Sequence, residues 1–133
     1  MSQHLFVYGS LMTALAHPMG DRLRKEALLL GPGGIAGRLY RVSWYPGLRA
    51  PDGPADIVHG ELYQLTSPDT TIEWLDEYEG IKPGSSSAAA DDEYIRVDRP
   101  VSLSGGLVIN AWVYLYNRDL PPPAVIADGI WRG

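Results

Sequence analysis

The sequence predicts an α+β fold, in which a small mixed or antiparallel barrel-like sheet of about six strands packs with one main helix. Short β-branched and aromatic runs recur along the chain and are separated by glycine and proline turn signals. One segment carries the start signals of a helix, and the two longest strand patterns stand next to each other in the sequence. With 133 residues, we expect a single domain spanning residues 1–133.

The first third of the chain begins with a strand pattern. His4–Tyr8 is a β-branched and aromatic run that ends at a glycine, and it predicts the first strand. A loop with one helical turn is expected over roughly Met12–Leu30, within which Leu28–Leu30 suits either strand or helix. Gly31–Gly34 is a strong turn signal.

Two strand patterns separated by turns follow. Ile35–Val42 alternates as a strand, with Gly37 at a point where backbone is expected to pack closely. Tyr45–Leu48 and Pro51–Pro54 are predicted turns. Ile57–Leu65 is the next predicted strand.

The clearest helix begins after this strand. Ser67 is suited to the cap, Pro68 to the first helical position and Asp69 to the positive end of the helix dipole. Ile72, Leu75 and Tyr78 form a packing stripe at helical spacing, with Trp74 as a further candidate. Gly80 is the expected stop.

The last third predicts a long hairpin. Glu93–Leu103 and Leu107–Asn117 are strand patterns joined at Ser104–Gly106. Before them, Lys82–Asp92 is a segment of small residues, for which a flexible spacer and a mobile lid are both open interpretations. Pro121–Pro123 interrupts regular structure near the end of the chain.

Composition excludes several classes of site and partner. There is no cysteine, so disulfides, thiolate zinc sites and a cysteine nucleophile are excluded. The three histidines lack metal-ligand spacing, and we expect neither a metal nor a cofactor. The net charge of −5 and the lack of a basic stripe argue against nucleic acid. The one basic cluster, at Arg22, Arg24 and Lys25, is interpreted as a solvated face, with an anionic partner site as the alternative.

The chain carries no pattern expected of a membrane or secreted protein. Its first residues lack a basic region ahead of an apolar stretch, so a signal peptide is not expected. The longest strongly apolar segment, Leu107–Tyr116, is too short to span a bilayer. We therefore expect a cytoplasmic protein without a membrane partner, and the sequence does not define its oligomeric state.

One short motif has a more specific resemblance. Val7–Leu11, which reads VYGSL after the first strand, resembles the signature loop of the gamma-glutamylcyclotransferase-like superfamily, which includes gamma-glutamylamine cyclotransferases and avirulence-induced-gene-like proteins. Further elements resemble that group in the same order: YPGL at 45–48, VHGELY at 58–63, LDEYEG at 75–80, YIR at 94–96 and AWVY at 111–114. The resemblance implies a small barrel-like fold and the conversion of a gamma-glutamyl compound into 5-oxoproline and a free amine or amino acid. The long segment between Gly80 and Tyr94 departs from many relatives and bears on substrate identity.

The resemblance assigns the role of general acid/base to Glu79. This residue stands with Asp76 and Glu77 at the negative end of the predicted helix, where three carboxylates oppose the dipole. A local rule broken in this way often marks function, and crowded like charges raise a carboxyl pKa toward the range that suits acid/base catalysis. The alternative is a solvated acidic helix end.

The resemblance also assigns substrate binding to the signature loop, which consists of Tyr8, Gly9, Ser10 and Leu11. Small residues after a strand let backbone N–H groups point at an anion such as the α-carboxylate of a substrate. A plain strand-ending turn is the alternative. Three residues of the last strands are further candidates for the pocket: Tyr94, Arg96 and Tyr114. Arg96 is expected to pair with a carboxylate of the substrate or of Glu79, whereas barrel packing is the alternative for Tyr114.

Three functions remain open at the level of sequence. The first is a cyclotransferase acting on a small gamma-glutamyl substrate, and the second is a non-catalytic small-molecule binding or regulatory module that kept the cavity. The third is a structural or interaction domain in which the motifs only mark a fold, since fold does not fix function.

Overall fold

The computed structural model describes residues 3–9, 11–12, 15, 17–42, 45–51, 53, 56–79, 94–117 and 125–132. Eight strands and two helices lie in these ranges: β1 (His4–Val7), α1 (Pro18–Glu26), β2 (Ala27–Ala36), β3 (Arg38–Arg41), β4 (Pro46–Arg49), β5 (Ile57–Leu65), α2 (Pro68–Tyr78), β6 (Tyr94–Leu103), β7 (Val108–Tyr116) and β8 (Val125–Ile126). The predicted α+β class with a barrel-like sheet is confirmed.

Five of the strands close into a barrel in the order β1-β5-β2-β6-β7. β1 runs antiparallel to β5 and parallel to β7, where Leu5 lies opposite Trp112 and closes the circle. The predicted hairpin is confirmed, since β6 and β7 pair from Tyr94–Tyr116 to Ser102–Val108. The remaining three strands form a second sheet in the order β4-β3-β8.

Two predicted turns are wrong, because both segments are strands. Gly31–Gly34 lies inside β2 and pairs with β5. Tyr45–Leu48 overlaps β4, which pairs with β3 so that Leu48 lies opposite Leu39. Local glycine and proline content indicated turns, but pairing with distant strands determines the structure at both places.

The single strand predicted over Ile35–Val42 is divided between the two sheets. Residues 35–36 end β2, and Arg38–Arg41 forms β3. The break falls at Gly37, where a Cβ would lie 2.5 Å from Leu48 Cδ1 and 2.8 Å from the carbonyl oxygen of Arg49. The prediction that backbone packs closely at this glycine is confirmed.

A nine-residue helix, α1, occupies a segment for which the sequence predicted only a loop with one helical turn. His17 caps it, because its Nδ1 accepts the backbone N–H of Met19 at 3.1 Å. Only Gly20 and Leu23 of this helix are buried, so the sequence shows no periodic apolar stripe. The apolar run Leu28–Leu30 is strand rather than helix.

The second helix, α2, follows the predicted pattern. It begins at Pro68 after Ser67, although the Ser67 side chain makes no capping hydrogen bond. Its buried residues are Thr71, Ile72, Trp74 and Leu75, whereas Tyr78 is partly buried. Gly80, the predicted stop, lies outside the described residues.

A carboxylate joins the two helices. Glu26 Oε1 accepts the hydroxyl of Thr71 and the indole N–H of Trp74, each at 2.9 Å. Its other oxygen accepts from Arg22 Nε at 3.3 Å. The Trp74 hydrogen bond is the main cause that holds the pKa of Glu26 below its usual range.

We expect Glu26→Ala to lower the free energy of unfolding by about 1–3 kcal/mol, because Thr71 and Trp74 lose their shared acceptor. The measurement is urea unfolding at neutral pH, with Glu73→Ala on the exposed face of α2 as the matched control. Because the folded-state pKa is depressed, this contribution is present above the unfolded pKa and is lost as the pH falls through the folded value. A Glu26→Ala protein as stable as the control would contradict the link.

Candidate functional site

The loop after β1 passes very close to β4. Gly9 begins a turn, in which its carbonyl oxygen accepts the N–H of Met12 at 3.1 Å. A Cβ at Gly9 would lie 2.9 Å from Cγ of Pro46, so a side chain here requires the proline ring or the loop to move. Leu11 is buried, whereas Ser10 lies outside the described residues.

Tyr8 connects this loop to the last strand of the barrel. Its buried hydroxyl donates to the carbonyl oxygen of Tyr114 at 2.5 Å and accepts the N–H of Leu48 at 3.2 Å. Burial raises the pKa of Tyr8, and the negative charge of Glu79 raises it further. The hydroxyl therefore stays protonated near neutral pH and acts as a hydrogen-bond donor.

Glu79 lies directly after α2 and is half-buried. Its backbone N–H donates to the carbonyl oxygen of Leu75 at 2.9 Å. The charge of its carboxylate raises the pKa of both Tyr8 and Tyr114, so it acts on both hydroxyls. The last turn of α2 carries no basic residue, so the helix itself does not compensate the acidic end.

Asp76, one turn before Glu79, is the centre of a hydrogen-bonded network. Arg96 donates to it through both Nε, at 2.8 Å from Oδ1, and Nη2, at 3.1 Å from Oδ2. The hydroxyl of Tyr114 also donates to Oδ1, at 2.6 Å. The carboxylate that pairs with Arg96 is therefore Asp76 rather than Glu79, and the guanidinium lies 4.4 Å from the ring centroid of Trp112.

The two hydrogen-bonded tyrosines share one electrostatic property. Burial is the main cause that raises the pKa of Tyr114, followed by its hydrogen bond to Asp76 and by the charges of Asp76 and Glu79. Like Tyr8, it stays protonated near neutral pH. Neither phenol is therefore suited to accept a proton.

Tyr94 is hydrogen-bonded to β4, the strand that lies beside the loop. Its buried hydroxyl donates to the carbonyl oxygen of Pro46 at 2.6 Å, and its ring lies edge-on to Tyr116 with the centroids 5.5 Å apart. Because Pro46 is also the residue nearest the missing Cβ of Gly9, Tyr94 and the loop contact the same proline from two elements.

Beside the Asp76 network, α2 and the barrel wall enclose a groove of about 530 Å³. The residues that line it are Gln3, Pro68, Asp69, Ile72, Glu73, Asp76, Arg96 and Trp112. The ion pair between Asp76 and Arg96 is thus part of the groove wall, while Asp76 also holds the hydroxyl of Tyr114.

The structure brings most of the sequence-predicted residues into one region. Tyr8 and Tyr114 are hydrogen-bonded to each other and are under the influence of Glu79, and Arg96 joins them through Asp76. Sequence reasoning noted Asp76 only as part of the acidic helix end. The available signal was its spacing of three residues from Glu79, which places Asp76 in the last turn of α2 and Glu79 directly after it.

Two kinds of feature are not found in the described ranges. No group of three or more histidine, aspartate or glutamate side chains there is arranged to hold a metal ion. Neither described helix is long and apolar enough to cross a membrane.

Comparison with known proteins connects this geometry to one family. Residues 5–133 match the family described as gamma-glutamyl cyclotransferase, AIG2-like. The chain is 30% identical over 130 residues to the gamma-glutamylcyclotransferase family protein ytfP of Citrobacter rodentium, covering 96% of this chain and 93% of that protein.

Solved structures show the same fold. Mouse aig2-like protein superposes with a TM-score of 0.69 and 19% identity, covering 98% of this chain and 88% of its own. YkqA from Bacillus subtilis gives a TM-score of 0.70 and 20% identity, covering 98% of this chain but 40% of that longer protein.

Proposed function

The chain belongs to the gamma-glutamyl cyclotransferase, AIG2-like family, and from this premise we propose that it converts a gamma-glutamyl amine or peptide into 5-oxoproline and a free amine or amino acid. In this proposal Glu79 is the general acid/base. The reaction is an internal acyl transfer, for which the residues of the chain supply proton transfer, orientation and binding.

The proposed reaction makes one bond and breaks one bond. The α-amine of the substrate attacks its own γ-carbonyl carbon, so that a new C–N bond closes the five-membered ring. The bond from that carbon to the leaving nitrogen then breaks. The α-amine is protonated near neutral pH and must lose protons, whereas the leaving nitrogen must gain one. One carboxylate between the two nitrogens can carry out both transfers.

The observation that carries the assignment is the electrostatic setting of Glu79. Its charge acts on Tyr8 and Tyr114, whose raised pKa values keep them protonated. The neighbouring carboxylate of Asp76 accepts three hydrogen bonds, from Arg96 and Tyr114. Glu79 is the carboxylate whose charge acts on both hydroxyls, and we therefore assign the proton exchange with a substrate to it.

Substrate binding is proposed at the loop. Backbone N–H groups of Gly9, Ser10 and Leu11 would receive the α-carboxylate and the oxygen on which negative charge develops. The tight approach of Gly9 to Pro46 leaves no room for a side chain at this position of the loop, which supports the proposal. Holding the substrate folded, so that its amine meets its γ-carbonyl, contributes on the order of 7 kcal/mol in well-oriented systems.

The test is incubation of the purified protein with a panel of gamma-glutamyl dipeptides and gamma-glutamyl amines, followed by mass spectrometry of 5-oxoproline. Release of 5-oxoproline from one compound of the panel supports the proposal and identifies the leaving amine. A folded protein that is stabilised against heat by 5-oxoproline, yet releases none from any substrate, would instead indicate a non-catalytic binding module.

A further inference from the structure

We propose that Asp76 is a positioning residue, which fixes the hydroxyls of Tyr114 and Tyr8 beside the carboxylate of Glu79. This inference rests on the proposed function, because positioning matters only where Glu79 exchanges protons. Asp76 itself is not proposed to touch the substrate.

The contacts form a continuous relay from Asp76 to Tyr8. Asp76 Oδ1 accepts the hydroxyl of Tyr114 at 2.6 Å, which fixes the ring at one end. The backbone of the same residue accepts the hydroxyl of Tyr8 at 2.5 Å. Tyr114 thus contacts Asp76 through its hydroxyl and Tyr8 through its backbone carbonyl, so that one residue joins Asp76 to the start of the proposed binding loop.

Arg96 gives the relay a fixed starting point. Its two donors hold both oxygens of Asp76, so that the carboxylate plane is defined by a two-point contact. The guanidinium in turn lies over Trp112. The side chains of Asp76 and Arg96 are 22% and 20% exposed, so water competes only partly for this pair.

The position of Asp76 on α2 explains why its effect should reach Glu79. Glu79 follows α2 directly, three positions after Asp76, and its N–H still donates to the carbonyl oxygen of Leu75, so the two residues lie close together at the end of the helix. Both raise the pKa of Tyr114, which places its hydroxyl within the field of two carboxylates. Arg96 offsets the charge of Asp76 through the ion pair between them.

A double-mutant cycle tests the relay in the wild-type background, using Asp76→Ala, Tyr114→Phe and the double variant. We expect kcat to fall by about 10²-fold in Asp76→Ala with little change in KM, as a small misplacement of reacting groups does. The double variant should fall no further, because both changes remove the same hydrogen bond. Asp76→Asn, which keeps an acceptor, should restore part of kcat.

The control is Asp128→Asn, which weakens an exposed aspartate–arginine pair, to Arg132 at 2.7 Å, outside the site. It should leave kcat unchanged. If the losses of kcat in the two single variants multiply in the double variant, the relay is overturned. A loss of kcat in Asp128→Asn equal to that in Asp76→Ala would also overturn it.

A second readout does not depend on turnover. In protein labelled with ¹³Cζ-tyrosine, the Tyr8 resonance is identified by its loss in Tyr8→Phe and should shift in Asp76→Ala but not in Asp128→Asn. A Tyr8 resonance that does not shift in Asp76→Ala would overturn the inference, whatever the activity of that variant. A wild type that releases no 5-oxoproline would overturn the proposed function, while a shifted resonance would still support the positioning of Tyr8 by Asp76.

Discussion

Replacing Glu79 with glutamine is expected to lower kcat for 5-oxoproline release by about 10²- to 10⁴-fold, the contribution typical of a positioned general acid/base. Glutamine keeps the shape of the side chain but cannot exchange a proton. Because binding by the loop is unaffected, KM should change little. The measurement is the steady-state rate of 5-oxoproline formation with the best substrate of the panel.

The matched control is Glu77→Gln, two positions earlier and exposed on α2. It removes the same charge from the same helix end, so any general effect of the helix dipole appears in both variants. That effect changes the free energy of unfolding by about 0.3–1 kcal/mol. We expect Glu77→Gln to retain the wild-type rate. An equal loss in both variants, or a Glu79→Gln protein that turns over normally, would remove the assignment of Glu79.

Gly9→Val is the second substitution with a large expected effect. Its Cβ would lie 2.9 Å from Cγ and 3.2 Å from Cδ of Pro46, and the two methyl groups of valine add further bulk. Either the loop or the proline must shift, and a displacement of about 1 Å in a positioning element costs about 10²-fold in kcat/KM. We expect that loss together with weaker binding of 5-oxoproline, measured by calorimetry.

Gly53→Ala is the control for this substitution, because a Cβ at Gly53 would meet nothing within 4 Å. It should bind and turn over as the wild type does. Circular dichroism and thermal unfolding should show that Gly9→Val still folds. Normal ligand affinity in a folded Gly9→Val protein would show that the loop is not the binding element.

Local sequence patterns predicted the elements whose buried residues recur at regular spacing along the chain. The alternating strand β5 was predicted with its observed bounds, and α2 with its start at Pro68. Both carry their buried residues at regular spacing, so sequence periodicity alone identifies them. The hairpin of β6 and β7 was predicted to within one residue at each strand end.

The elements that were predicted wrongly depend on distant partners. In β2, glycines and Pro32 suggested a turn, yet this stretch pairs with β5 along its length, while β6 meets β2 only at Gly33 and Gly34. Proline is tolerated where a strand lacks a neighbour on one side. Helix α1 was predicted only as one helical turn within a loop, because its packing relies on Leu23 and Gly20 rather than on a full apolar stripe.

The candidate site was predictable in its parts but not in its connections. The resemblance to a family supplied Glu79 and the loop, because their motifs are local. The partners of Asp76 are 20 and 38 residues away in sequence, at Arg96 and Tyr114, and no local pattern indicates such contacts. Arg96 was expected to bind a substrate carboxylate or Glu79, and only the folded structure identifies Asp76 as its partner.

The most direct test of the central proposal is product analysis of the wild-type reaction in H₂¹⁸O. Internal attack by the α-amine uses no water, so we expect 5-oxoproline free of ¹⁸O, together with one equivalent of the released amine. Glutamate carrying ¹⁸O in its γ-carboxylate would show hydrolysis instead and would contradict the proposal that this chain cyclises its substrate.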